Sequence, residues 1–182
     1  LSLPYSVKLL SGGSLGRDIA YYFYFYFSEH GEIAGLEDAY LMFNDLLDRD
    51  LDIYLVQSQA SDPLFKRELR LTYEDYQVYK TSIGDSRVAL SYDRGVMITY
   101  GLPSGTDIIL EIVNGNGLVE ADAARVYDDD KYKNFAARVS QDLGDFVRAG
   151  AFGYLGTERS TYKNELWYLG GDVTAGNDIF EV

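Results

Sequence analysis

An unbroken run of seven aromatic residues, Tyr21 to Phe27, is the feature that most limits what this chain can fold into. After Tyr21 the run alternates strictly between tyrosine and phenylalanine. Because successive side chains of a β-strand point to opposite faces, one face is entirely phenyl and the other carries phenol hydroxyls. The two sets are Phe23, Phe25 and Phe27 against Tyr22, Tyr24 and Tyr26. We expect the phenylalanines to face lipid and the tyrosines to face an interior or an interfacial girdle. A central strand of a soluble β-sandwich, buried on both faces, is the alternative.

The same period of two residues recurs along the chain, and turn-forming clusters separate the segments. The clearest example is 106–115, where Ile108, Leu110 and Ile112 share one face and the opposite face has Asp107, Ile109 and Glu111. About nine or ten strands are predicted, with almost no helix. The segments are 4–10, the aromatic run, 38–45, 51–59, 87–101, 106–115, 134–141, 146–156, 164–175 and a final short "DIFEV".

Most of these segments have the ~9–11 residues that a tilted membrane-crossing strand needs. Short connections alternate with long polar ones, which is typical of outer-membrane barrels. We therefore predict an all-β fold, an antiparallel up-and-down transmembrane β-barrel or part of one, as a single domain over 1–182.

Composition excludes several classes of function. The net charge of −13 argues against nucleic acid as a partner and against docking on anionic lipid through a basic patch. The absence of cysteine removes disulfides, thiol nucleophiles and covalent c-type haem within the chain, so no cofactor is expected. The sequence begins at Leu1 without a charged-then-apolar leader, and a signal peptide is expected to be absent or already removed.

Charged side chains inside the predicted strands indicate which face is polar. Asp107 and Glu111 lie on the polar face of one strand, and Arg138, Arg148 and Glu165 fit the same pattern. On a lipid face such charges cost about 1–4 kcal/mol, whereas in a water-filled lumen they cost little. The two carboxylates either bias a pore towards cations or pair with Arg138 or Arg148 on a neighbouring strand.

The long connection 61–86 contains the one concentrated basic cluster, Lys66, Arg67 and Arg70. One interpretation folds this connection into the lumen, where basic side chains form a constriction that selects anions. The other is a solvated loop whose charges pair with nearby carboxylates.

Three consecutive carboxylates, Asp128, Asp129 and Asp130, are weak candidates for a calcium site, since hard cations take clustered carboxylates. The segment lacks the glycine and the distal glutamate of a twelve-residue calcium loop, so a surface acidic turn is the preferred interpretation and no metal is expected.

No catalytic arrangement is identifiable. His30 is the only histidine, and it lies between Glu29 and Glu32 in a turn-like segment. The glycine-rich stretches 11–16 and 114–117 are interpreted as turns. We therefore expect no enzyme.

Three blocks of the sequence resemble the Gram-negative outer-membrane porins of the phosphate-selective (O and P) type. The matching residues are Gln57, Gln59, Asp62, Pro63 and Phe65 in the first block, Asp93, Arg94, Gly95 and Val96 in the second, and Asn114, Gly115, Asn116 and Gly117 in the third. The resemblance implies a water-filled barrel in the bacterial outer membrane. Members of that family have more strands and end in an aromatic residue, so a chain ending in Val182 is expected to be a fragment. The arginine ladder expected for anion selectivity is not evident.

The resemblance implies a porin-like channel for diffusion of small polar or ionic solutes, with outer-membrane lipid around it and a homo-oligomer as one arrangement. Two alternatives stay open. The barrel is a scaffold or sheath around a redox partner such as a c-type cytochrome, or the chain is a soluble β-sandwich or lipocalin-like binding module.

Overall fold

The computed structural model describes residues 6–29, 35–60, 82–84, 86, 88, 90–117, 128, 130–159, 162–177 and 180–181. Within them ten strands form one sheet in which every strand pairs antiparallel with its neighbour along the chain. The strands are β1 (Ser6–Ser14), β2 (Ile19–Glu29), β3 (Gly35–Phe43), β4 (Leu51–Gln59), β5 (Tyr92–Leu102), β6 (Thr106–Val113), β7 (Asn134–Asp142), β8 (Val147–Arg159), β9 (Lys163–Asn177) and β10 (Phe180–Glu181).

The prediction of an all-β, up-and-down chain is thereby confirmed. One 3₁₀ turn, Leu46–Asp48, is the only helical element in the described part of the chain. Within the same residues β1 pairs only with β2 and β10 only with β9, so the sheet is open at both edges. Closure into a barrel stays a prediction. No helix in the described segments is long and apolar enough to cross a membrane.

The connections differ between the two ends of the sheet. At the end where odd-numbered strands lead into even-numbered ones, they are residues 15–18, 44–50, 103–105 and 143–146. The two longest connections, 60–91 and 114–133, both lie at the opposite end. The two longest connections therefore lie at the same end of the sheet, where 30–34 and 160–162 are short, and the connections at the other end have at most seven residues.

Side-chain alternation sorts the residues of β6 to β9 into two faces of opposite character. On β7, Asn134, Ala136, Arg138 and Ser140 are buried, whereas the intervening Phe135, Ala137 and Val139 are exposed. We call the face that carries the buried side chains the inner face and the opposite one the outer face. Cross-strand register extends both faces over the sheet, because directly paired residues share a face.

Register places the aromatic strand as predicted. Tyr22 pairs with Tyr40, and through Val56 and Gly95 this row continues to the buried Val113 on the inner face. Tyr54 lies in the next inner-face row, which runs through Met97 to Glu111. Phe23 pairs with Ala39 on the outer face. Phe27 is the extra residue of a β-bulge against β1, and its ring still contacts Phe25 on the outer face at 5.0 Å between centroids.

Three predicted boundaries are wrong. The stretch Ser11–Ser14 was assigned to a turn, but it continues β1, where Gly12 and Gly13 pair with Tyr22 and Tyr21. Small residues are needed there, since a Cβ on Gly12 would lie 3.2 Å from the ring of Tyr22. The segment 87–101 was taken as one strand, but β5 begins only at Tyr92. β8 was predicted to end at Gly156, but it continues to Arg159.

The end of the connection between β4 and β5 packs onto the inner face. Val88 and Leu90 are buried in one apolar cluster with side chains of β6 to β9. The members that come from the sheet are Val113, Ala136, Phe152, Tyr154 and Leu166, with Tyr168 packed against them. Of the connection predicted to enter the lumen, residues 61–81 and 85 lie outside the described residues; this cluster fixes the position of its last part.

Candidate functional site: the inner face of the sheet

A bidentate ion pair crosses the inner face between β7 and β9. The guanidinium of Arg138 donates from both terminal nitrogens to the two carboxylate oxygens of Asp172, with Nη2 to Oδ1 at 2.7 Å. Gly150 of the intervening β8 leaves room for this contact, since a Cβ there would lie 2.4 Å from Nη2. Arg138 is 8 % exposed, so it is a buried charge that has a matched partner.

A second ion pair lies nearer the end with the tight turns. Arg148 of β8 pairs with Asp107 of β6, and its Nε lies 3.5 Å from the carboxylate of Asp142 on β7. All three side chains are about half exposed, so the net stabilisation from these contacts is about 0–1 kcal/mol. Of the alternatives left open for Asp107, pairing with Arg148 is the one that the structure contains.

The predicted polar residues of the strands therefore lie on the inner face, with one exception. Glu111 is 7 % exposed there, while its neighbour Leu110 is 46 % exposed on the outer face. Glu165 was expected on the inner face, but its side chain is exposed on the outer face and pairs with Lys163 near the end of β9. The sequence alternation of β9 identifies the reason: Leu166 is buried, so Glu165 and Trp167 point the other way.

A hydrogen-bonded network anchors the inner face near the long connections. The Asn134 amide donates to the Tyr154 hydroxyl at 2.9 Å and accepts the Thr157 backbone N–H at 2.7 Å. Asp93 accepts the backbone N–H groups of Arg94 and Gly115 at 2.7 and 2.8 Å. These bonds satisfy buried polar groups and hold the turn that follows β6, as the glycines at 114–117 predicted.

Tyrosines line the inner face of β2 to β4. The rings of Tyr22 and Tyr40 stack at 5.3 Å, and those of Tyr40 and Tyr54 meet at 5.6 Å with an interplanar angle of 71°. Tyr24 and Tyr26 lie 5.0 Å apart on the same face. We call these five residues the tyrosine track.

The remaining predicted site residues divide between outside and inside the described segments. Lys66, Arg67, Arg70, Asp129 and His30 lie outside the described residues. The constriction that Lys66, Arg67 and Arg70 were predicted to form therefore stays a prediction.

Asp128 and Asp130 use their carboxylates within the chain. Asp128 pairs with Lys133, and Asp130 accepts the backbone N–H groups of Tyr132 and Arg159 at 2.7 and 3.1 Å. Both oxygens of Asp130 thus have protein donors. Within the segments that the structure describes, no three acidic or histidine side chains are grouped so that they would hold a metal ion.

Several residues of the inner face were not identified from the sequence. Asp172 and Asn134 were not singled out, because no spacing rule distinguishes them, and Asp93 was noted only as part of the resemblance to porins. Asp172 had one available signal, because it continues the alternation that runs through Leu166, Tyr168 and Gly170.

No protein-family model, no curated protein and no solved structure matches this chain. The resemblance to phosphate-selective porins therefore remains a prediction.

Proposed function

We propose that the chain forms part of the wall of a porin-type transmembrane β-barrel in the bacterial outer membrane. Small polar or ionic solutes diffuse through the lumen of this barrel. One observation carries the proposal: the exposed outer face of β6 to β9 is rich in large apolar side chains, whereas the buried inner face carries ion pairs and other polar groups beside one apolar cluster. A soluble domain has the opposite arrangement.

The outer face continues over several neighbouring strands without a covering layer among the described residues. Its exposed large apolar side chains include Leu55, Leu110, Ile112, Phe135, Val139, Leu155, Trp167, Leu169 and Val173. Contiguous apolar surfaces of this kind mark contacts with a membrane or a partner. Acyl chains are the occupant that we propose, because the apolar positions follow the strand period of two across strands long enough to span a bilayer.

The inner face supports an aqueous lumen. It carries Asp107, Glu111, Arg138, Arg148 and Asp172, charges that would be costly on a lipid face. The described part of this face carries several acidic side chains, which favour the passage of cations over anions. The end of the β4–β5 connection occupies part of the space over β6 to β9, as expected of a connection that narrows a pore.

The proposal requires both sheet edges to be paired, because unpaired backbone groups are not tolerated in hydrocarbon. In the described residues β1 and most of β9 have one unpaired edge each. Further strands, or strands of other copies, would have to complete the hydrogen bonding there.

Two rival functions are less well supported. A soluble sandwich needs two sheets with apolar inner layers, whereas all described strands belong to one sheet whose buried face holds ion pairs. A sheath around a redox protein needs an open lumen, and here Val88 and Leu90 of the chain's own connection pack on part of the inner face of β6 to β9.

Trp167 allows a direct test, because it is the only tryptophan of the chain and is 66 % exposed on the outer face. The protein is folded into vesicles whose lipids carry bromine near the middle of the acyl chains, and its fluorescence is compared with that in unbrominated vesicles. We expect strong quenching of Trp167. The matched control is the double variant Trp167→Phe/Tyr168→Trp, which moves the indole to the inner face, and its emission should be quenched much less.

Planar-bilayer recordings complete the test, and stepwise ohmic conductance is expected. A chain that stays monodisperse in buffer without detergent, or that leaves Trp167 unquenched after folding with vesicles, would overturn the proposal.

A further inference from the structure

The tyrosine track combines two ring arrangements on the inner face. Tyr22 lies nearly parallel to Tyr40, with an interplanar angle of 24°, whereas Tyr54 meets Tyr40 nearly at a right angle. Two rings at a right angle form a corner, not a flat platform. A corner of electron-rich rings is the geometry in which a cation contacts more than one aromatic group at once.

The chain itself places an ammonium group on one end of the track. The Nζ of Lys8 lies 5.1 Å from the ring centroid of Tyr24 and 4.5 Å from that of Tyr26. Both distances are within the ~6 Å range of cation–π attraction. These inner-face tyrosines are therefore oriented so that an ammonium group can lie over them.

A carboxylate stands beside the other end of the track. Asp52 is two residues from Tyr54 on the same face of β4, and its Oδ2 lies 3.5 Å from both the Tyr54 hydroxyl and Thr99 Oγ1. Asp38 pairs with Tyr24 in the sheet register and adds a second acidic position on this face. Lys8 is the only basic residue at inner-face positions of β1 to β5 within the described segments.

We propose that the corner formed by Tyr40, Tyr54 and Asp52 binds small organic cations that carry a substituted ammonium group. The rings supply cation–π attraction and the carboxylate supplies a counter-charge, so each favours the same ligand class. Small organic cations would then be the solutes that pass most readily through the lumen, and this part of the inference rests on the proposed function.

A neutral sugar is the other ligand that aromatic rings and carboxylates bind together. Two features favour the cation. The rings of Tyr40 and Tyr54 do not form the flat stacking surface that suits a pyranose, and a carboxylate beside the rings favours positive charge over a neutral ring. The experiment therefore includes a sugar among its probes.

The experiment measures binding by titration calorimetry on the protein folded in detergent micelles. The probes are choline, its uncharged isostere 3,3-dimethyl-1-butanol, and maltose. We expect choline to bind with weak affinity and the isostere to bind much less tightly, because only the charge differs between them. Equal binding of choline and the isostere, or binding of maltose alone, would overturn the inference.

Variants locate the site. Tyr54→Leu should weaken choline binding by about three- to tenfold, whereas Tyr54→Phe keeps a ring and should retain most of the affinity. Asp52→Asn should weaken it similarly while keeping the oxygen that accepts the Asp45 backbone N–H. The matched control is Tyr100→Leu, since Tyr100 pairs with Leu51 and Ile108 on the outer face of adjacent β5. An effect of Tyr100→Leu as large as that of Tyr54→Leu would contradict the assignment.

Binding in micelles and conductance in bilayers fail independently. If choline binds through Tyr54 and Asp52 but no conductance develops, the porin function is wrong and the cation site stands. If the protein conducts but none of the three probes binds, the cation site is wrong and the porin function stands.

Discussion

Arg138 and Asp172 form their bidentate ion pair across β8, and Gly150 is the residue over which the guanidinium passes. This relationship makes a glycine in the middle of a strand indispensable to an ion pair formed by two other strands.

Gly150→Ala should destabilise the folded protein by about 1–3 kcal/mol, because a Cβ at 2.4 Å from Arg138 Nη2 displaces the guanidinium and leaves buried charges poorly paired. Gly153→Ala on the same strand is the control, since its Cβ would meet only Leu169 Cδ2 at an ordinary 3.5 Å. Urea unfolding of both variants, followed by circular dichroism, measures the difference. Equal stabilities would contradict the role given to Gly150.

Gly115→Ala should cost more stability than Gly144→Ala. Both glycines have positive φ, +85° and +79°, so the backbone strain of an alanine is similar at the two sites. At Gly115, however, the new Cβ would lie 2.0 Å from Asn134 Nδ2, and at Gly144 it would meet nothing within 4 Å. The excess in the free energy of unfolding should be about 1–2 kcal/mol, from loss of the Asn134 network. No excess would mean that Asn134 moves aside without consequence.

Leu90→Ala should loosen the connection between β4 and β5. Removing a buried leucine side chain costs about 2–5 kcal/mol, and here that cost falls on the attachment of the connection to the inner face. We expect trypsin to cleave after Lys66, Arg67 or Arg70 about tenfold faster or more than in the parent chain. Ile83→Ala is the control, because Ile83 is exposed in the same connection. Cleavage that is no faster than in this control would contradict the anchoring.

Leu110→Arg tests, through the free energy of folding, whether the outer face contacts lipid. In a bilayer the arginine should reduce the free energy of folding by about 2–4 kcal/mol near the membrane centre. On a water-exposed surface the same change would have a small effect. Leu143→Arg, in the exposed turn between β7 and β8, should be nearly neutral in either setting. Folding titrations into vesicles give both values, and two equally small effects would exclude acyl chains as the occupant of the outer face.

The strands and their sidedness could be predicted because they depend on a local period of two residues. In β6, Ile108, Leu110 and Ile112 share the outer face and Asp107 and Glu111 the inner face, as expected, with Ile109 as the one apolar residue between the two carboxylates. The boundaries were wrong at Ser11–Ser14, because glycine and serine favour turns locally while here the pairing with β2 overrides that preference.

The partners of the inner-face charges could be predicted only in part, because the Asp107–Arg148 pair was one of the alternatives whereas Asp172 was not identified as the partner of Arg138. Arg148 was expected to pair with a neighbouring strand, yet its carboxylate on Asp107 lies two strands away. A contact across an intervening strand depends on the length of the side chain and on small residues between the two partners. The alternation pattern of a single strand predicts neither of these. Closure of the sheet depends likewise on what pairs with its edges.

The strict alternation of tyrosine and phenylalanine in β2 has a consequence for assembly. If β2 were displaced by a single residue against β1 and β3, its tyrosines would take the outer-face positions and its phenylalanines the inner-face positions. A folding intermediate with this shifted pairing would place six successive side chains, Tyr22 to Phe27, on the wrong faces. The alternation therefore favours the native pairing of β2 over pairings shifted by one residue.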